Sequence, residues 1–201
     1  MIFHAASTDS VIMNPVKVVN NRERVKDSAL TPPLGKHVLL MRHASAASMA
    51  ASDRERPLTI AGRQEADLMG QMLSLRGPRP ELVISSGAAR ATETARIVGR
   101  WLGLEDDLAV APQLYLASVD QWLATLQETD AGLSTVLMVG HNPGLADFAR
   151  RLRGGGRPID AFDPAHIASL DLPVRQWALV QEGKALCRWS IGPREAAFLT
   201  K

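Results

Sequence analysis

The chain has 201 residues, 46% hydrophobic and 22% charged, which suits one domain with a real core and is too apolar for disorder throughout. Its 23 Lys and Arg against 21 Asp and Glu leave a formal charge of +2, which is no nucleic-acid footprint. The single cysteine, Cys187, excludes an intrachain disulfide and a thiolate-rich zinc cluster, and points to a reducing, cytoplasmic setting.

No stretch approaches the roughly 20 apolar residues of a spanning helix, so no membrane partner is expected. The opening Met1-Ile2-Phe3-His4 lacks the basic start of an export signal. Residues 1–36 read as a tail of low order, closing with Thr31-Pro32-Pro33-Leu34-Gly35-Lys36, where the prolines favour an extended linker. Val16-Lys17-Val18-Val19 is the piece of it most able to dock as an extra strand. The domain proper is expected over residues 37–201.

His37-Val38-Leu39-Leu40-Met41 is a short apolar run, suited to a strand buried on both faces. Residues 61–75 carry Ala66, Met69 and Leu73 at helical spacing, with Thr59 as N-cap and Gly77-Pro78 as terminator. Leu82-Val83-Ile84 predicts a second strand, and residues 88–102 a helix closed by Gly103. A helix over 119–126, a strand over 135–139 and a helix over 144–152 follow, the last stopped by Gly154-Gly155-Gly156. Residues 167–172, 177–181 and 185–191 read as strands, the last two joined as a hairpin at Glu182-Gly183-Lys184. This alternation predicts a three-layer α/β/α domain with a mostly parallel central sheet.

Ligands of open α/β sheets bind outside the carboxyl ends of the strands. Arg42-His43-Ala44-Ser45 follows the first strand, Ser85-Ser86-Gly87-Ala88-Ala89-Arg90 the second, and Gly140-His141-Asn142-Pro143 the strand over 135–139. Two histidines and two arginines therefore reach one edge of the sheet. Arginine offers a planar fork of donors for phosphate oxygens, a neutral histidine can act as a nucleophile, and helix N-termini after Ser86 and Asn142 add a preference for an anion.

Arg42-His43-Ala44, Arg56-Pro57-Leu58-Thr59 with Gly62, Ser85-Ser86 with Arg90-Ala91 and Thr94, and Gly140-His141-Asn142-Pro143 occur in that order. The set resembles the histidine phosphatase superfamily, also called phosphoglycerate mutase-like, and most of all its small SixA-type phosphohistidine phosphatase branch. The resemblance implies the phosphoglycerate mutase-like fold and a metal-independent phosphatase without cofactor. It implies His43 as the nucleophile of a covalent phosphohistidine intermediate, Arg42 and Arg90 as the phosphoryl clamp, and His141 as a hydrogen-bond donor to the phosphoryl oxygens. The partner would be a protein carrying phosphohistidine or a small phosphorylated molecule. The alternatives are a phosphatase for a small phosphoester and a phosphate-binding protein without turnover, the second of which intact His43 and His141 disfavour.

The resemblance has gaps. Ala44 replaces a commoner glycine, Gly87 stands where many members have proline, and Glu93 stands where glutamine is common, three residues after Arg90 and placed to pair with it. Sugar-phosphate members carry an acidic residue in the segment that here reads Pro112-Gln113-Leu114-Tyr115-Leu116. Asp53 and Glu55 are candidate substitutes, and a protonated imidazole leaving group would need no acid. Arg56 contacts substrate or pairs with Asp53. Ser45 and Ser86 contact phosphate or cap a turn. His166 reads as structural, and Cys187 as an inert buried thiol.

Overall fold

A computed structural model of the protein describes residues 35–159 and 162–200. The predicted tail lies outside them except for Gly35 and Lys36. Lys36 already belongs to the first strand, β1 (Lys36–Arg42), and its ammonium donates to Ala131 O at 2.8 Å and Leu133 O at 2.7 Å.

The elements that follow are α1 (Ile60–Arg76), β2 (Leu82–Ser85), α2 (Ala89–Leu102), β3 (Leu108–Val110) and α3 (Val119–Gln127). Then come β4 (Thr135–Gly140), α4 (Gly144–Leu152), β5 (Arg153–Gly156), β6 (Ile167–Leu172), β7 (Ala185–Ile191) and α5 (Pro193–Leu199). The sheet runs β3-β2-β4-β1-β6-β7-β5. Its first four strands are parallel, β6 is antiparallel to both β1 and β7, and β5 is parallel to β7. The mostly parallel α/β/α expectation holds.

Alternation along the strands divides the core. Val38, Leu40, Val136, Met138 and Leu170 face the layer of α3 and α4, where Trp122 and Phe148 stack at 6.0 Å. Leu39, Met41, Val83, Leu137 and Ile167 face α1, α2 and α5, where Met69, Leu73 and Val98 pack. Both faces of the central strands are covered, which is why those strands read as unbroken apolar runs.

Thr59 caps α1 as predicted, its hydroxyl accepting from Gly62 N at 2.9 Å. Gly103 closes α2 at φ 69°, a conformation glycine adopts without strain.

The C-terminal third departs from the sequence reading. Residues 177–181 are not a strand. Trp177–Leu179 forms a 3-10 turn that buries Trp177 and Val180, three residues apart, and Trp177 Nε1 donates to Leu133 O at 2.9 Å. The expected hairpin therefore does not exist, and β7 pairs with β6 instead. The three glycines do not merely stop α4. They continue as β5, where a Cβ on Gly154 would lie 2.1 Å from Gly183 O, so only glycine allows this approach. Two further elements went unread. β3 has only three residues. α5 starts with Pro193, and the Glu195 carboxylate accepts from Gly192 N at 3.0 Å, a helix-start signal present in Gly192-Pro193-Arg194-Glu195.

Candidate active site

Register brings the strand-end residues together. Arg42 at the end of β1 lies opposite Gly140 at the end of β4, and Ser85 at the end of β2 lies opposite Val139. The next residue along each strand is therefore His43, His141 or Ser86, and the His43 and His141 rings lie 5.0 Å apart. A pocket of about 400 Å³ opens here, lined by Arg42, His43, Ser45, Ala46, Asp53, Arg56, Arg90, Leu116, His141, Asn142 and Pro164.

His43 Nδ1 donates to its neighbour's carbonyl, Ala44 O, at 2.8 Å. That contact assigns the ring proton to Nδ1 and leaves a lone pair on Nε2, which accepts from Arg90 Nε at 3.2 Å. Burial is the largest influence on this ring, and the charges of Arg90, Arg42 and Arg56 act in the same direction against the Ala44 contact, so its pKa falls to about 4. His43 is neutral at pH 7, with its lone pair in the pocket.

His141 is 3% exposed. Burial, then the neighbouring His43 and Arg90, lowers its pKa to about 3. Its Nε2 meets Ser86 Oγ at 2.6 Å, and its Nδ1 has no hydrogen-bond partner. Arg42 Nε and Asn142 Oδ1 are likewise buried and unpartnered, while Arg42 Nη1 and Asn142 Nδ2 both donate to Phe162 O, at 2.7 and 2.9 Å. Unpaired buried polar groups are costly, and their gathering around one pocket marks a place where a polar ligand completes them.

Arg90 is almost fully buried and its guanidinium is held in place by three further contacts. Its Nη2 donates to Asp53 Oδ2 at 3.0 Å, its Nη1 donates to Asp53 O, and it lies over the Tyr115 ring. Tyr115 OH donates to the same Oδ2 at 2.6 Å, and Arg56 Nε lies 2.9 Å from Oδ1. The Tyr115 hydrogen bond first, then Arg90, depress the Asp53 pKa to about 2. Asp53 is thus ionised and has no proton to give at neutral pH.

The remaining sequence candidates are placed as follows. Arg56 lines the pocket and pairs with Asp53, so its two readings do not exclude each other. Ser45 lines the pocket while its N–H and hydroxyl donate to Glu65, both at 2.8 Å. Ser86 is fully buried behind His141 and is not part of the pocket wall. Glu55 accepts from Ser52 Oγ at 3.0 Å, away from the pocket. The expected pair of Glu93 with Arg90 does not form. Glu93 accepts from Leu58 N at 3.0 Å and Arg63 Nε at 2.6 Å, because α1 and the segment before it offer nearer donors and Arg90 turns inward. Gly87 adopts φ 77°, which the fixed ring of a proline cannot reach, so this turn differs from the proline turn of other members.

Tyr115, Leu116, Asn142, Phe162 and Pro164 escaped the sequence reading. Asn142 stood inside a quoted motif, and Tyr115 and Leu116 inside the segment searched for an acid. Nothing local marks Phe162 or Pro164, whose loop reaches the site only because β6 runs back beside β1.

Comparison with known proteins agrees with this arrangement. The profile of the histidine phosphatase superfamily (branch 1) matches residues 38–114. Phosphohistidine phosphatase SixA of Escherichia coli K12 is 32% identical over 160 residues, 78% of this chain and 93% of that protein. The SixA homolog of Haemophilus influenzae is 33% identical over 145 residues, 67% of this chain and 87% of that protein. Among solved structures, the protein histidine phosphatase SixA complexed with tungstate superposes with a TM-score of 0.68 at 32% identity, covering 79% of this chain and 98% of that one. Similarity at that level over nearly the whole of a relative, with the histidines and arginines converging at the strand ends, makes this chain a hydrolase of the histidine phosphatase superfamily.

Proposed function

We propose that this protein removes the phosphoryl group from phosphohistidine in a protein substrate. The observation that carries the reading is the state of His43, a neutral ring whose tautomer is set by Ala44 O and whose unprotonated Nε2, held by Arg90 Nε at 3.2 Å, belongs to the pocket wall. In the first step the Nε2 lone pair of His43 attacks phosphorus, and the substrate P–N bond breaks with its electron pair returning to the substrate ring. That ring, protonated on its other nitrogen, leaves as neutral imidazole. Water then attacks phospho-His43, the new P–N bond breaks, and His43 leaves still carrying its Nδ1 proton. The proton lost by water leaves with phosphate or solvent.

Arg42 and Arg90 hold the phosphoryl oxygens, and an oxygen arriving in the pocket would complete Arg42 Nε and His141 Nδ1. Transfer of this kind depends mainly on positioning and on charge stabilisation. Tungstate, held by the SixA relative, is a tetrahedral oxyanion of the same kind as phosphate. An ionised Asp53 favours phosphohistidine over an ester, because an alkoxide needs a proton that Asp53 lacks. The open pocket suits a side chain presented by a protein, and one buried cysteine suits the cytoplasm.

The test is turnover of a phosphohistidine protein against a panel of sugar phosphates, with acid quench to trap an acid-labile phosphoenzyme. Rapid release from phosphohistidine is expected. Faster turnover of a sugar phosphate would replace this reading with a small-molecule phosphatase.

A further inference from the structure

We propose that Asp53 and Leu116 form the leaving-group subsite, selecting a phosphorylated nitrogen base that carries its own positive charge. The proposal rests on the phosphohistidine reading and extends it from the phosphoryl group to the group that departs.

Two independent observations carry it. The first is the Asp53 carboxylate. It lines the pocket yet is 53% exposed at its side chain. It faces Arg90 on α2, Tyr115 in the loop after β3, and Arg56 in its own loop, while Arg54 lies over the Tyr115 ring at 5.4 Å. A carboxylate has about four acceptor positions; Arg90 and Tyr115 take two by hydrogen bonds to Oδ2, and Arg56 faces Oδ1 as an ion pair. The exposed edge remains able to accept one N–H from a ligand in the pocket. An ionised carboxylate there stabilises a protonated ring and disfavours an anionic leaving group.

The second is Leu116. It also lines the pocket, is 63% exposed, and has φ 51°, a left-handed conformation that a leucine adopts only at a cost of about 1 kcal/mol. Folding alone would favour glycine or asparagine at that angle, or a buried position for that side chain. A strained, exposed leucine beside a charged pocket is better explained by what it contacts there. It offers an apolar wall next to an anionic one. A protonated imidazole matches both, with an apolar face and N–H groups along its edge.

The step balances without an added acid. The substrate ring holds one proton on the nitrogen remote from phosphorus, and Asp53 accepts a hydrogen bond from it. When the P–N bond breaks, the electron pair neutralises the ring, and the proton stays where it was.

Three substrates separate the two walls. A phosphohistidine peptide has both charge and ring, phosphoramidate has a cationic nitrogen without a ring, and 4-nitrophenyl phosphate has a ring without a cation. Asp53→Asn should lower kcat/KM at least about tenfold more for the peptide, whose N–H lies remote from phosphorus, than for the nitrophenyl ester, the effect of one charge-assisted hydrogen bond, with an intermediate loss for phosphoramidate, whose charge sits on the departing nitrogen itself. Leu116→Ala should weaken the peptide and the nitrophenyl ester and spare phosphoramidate. Equal losses of Asp53→Asn on all three would show that Asp53 acts only by holding Arg90, and would overturn the charge assignment. A Leu116→Ala loss that also reached phosphoramidate, or no loss at all, would remove the apolar wall. Wild-type protein inert on both phosphoramidates would overturn the phosphohistidine reading, and this assignment with it.

Discussion

The proposed function divides the work between attack and binding. In it His43 supplies the attacking nitrogen, while Arg42, Arg90 and the starts of α2 and α4 supply affinity for an anion. His43→Ala is therefore expected to abolish turnover and keep most binding of vanadate or phosphate, measured by kinetics and titration calorimetry. Arg90→Ala is expected to weaken both, by about 2 kcal/mol or more in binding, because a charge-assisted contact is lost in a largely desolvated place. It also removes one of the cations around Asp53 and Tyr115, leaving Arg56 and Arg54. Near wild-type turnover in His43→Ala would exclude that ring as the nucleophile.

The start of α1 is built against the segment that carries the pocket wall. Ser45 O accepts from Thr59 N at 2.9 Å and from the Thr59 hydroxyl at 3.2 Å, while a Cβ on Gly62 would lie 1.9 Å from that same oxygen. The backbone of α1 therefore lies directly on the segment that follows His43. Gly62→Ala forces the two apart although alanine suits a helix better than glycine. The expected result is a lower Tm and a loss of kcat, since Ser45 and Ala46 line the pocket. A Tm equal to or above wild type would show that helix propensity outweighs the contact. The same logic explains Thr59, whose hydroxyl both caps α1 and holds the segment.

Among the described residues four histidines have depressed pKa values, with desolvation the largest cause for each: the buried His37 and His141 and the half-buried His43 and His166. An unfolded chain regains the ordinary value of about 6.5, so below that pH the unfolded state binds more protons than the folded one. Stability is then fully present above about 6.5 and falls as pH drops toward the folded values of about 4 for His43 and about 3 for His141. The slope is at most about 1.4 kcal/mol per pH unit for each histidine. Asp53 adds a loss in the same direction at lower pH, between its ordinary value and about 2. Urea unfolding at pH 7 and pH 5 should show the decline, and His43→Gln with His141→Gln should flatten it. Positive charge in the pocket comes from Arg42, Arg56 and Arg90, and among the described residues no cluster of three His, Cys, Asp or Glu is placed to hold a metal. Activity is therefore expected to persist in EDTA. A loss restored by a divalent ion would contradict that charge assignment. No helix among the described residues is long and apolar enough to cross a membrane.

Sequence alone determined the elements whose signals are local and the residues that end them. The apolar runs of β1, β2 and β4 are legible because both faces of those strands are buried, and Arg42, His43, Ser86 and His141 are legible because chemistry in such sheets gathers at the strand ends. Thr59 and Gly103 mark the ends of their helices by caps that act within a few residues. Tertiary structure decided what depends on distant neighbours. Trp177 sits in a turn because Leu133 O receives its indole N–H, and three glycines become a strand because β7 lies beside them. Asp53 looked like a substitute acid from its place after His43. The Tyr115 hydroxyl and the Arg90 guanidinium, 62 and 37 residues away in sequence, push its pKa below the ordinary value, where a general acid needs it raised. A pKa depends on which charges and donors lie within a few ångströms, and only the folded chain brings those together.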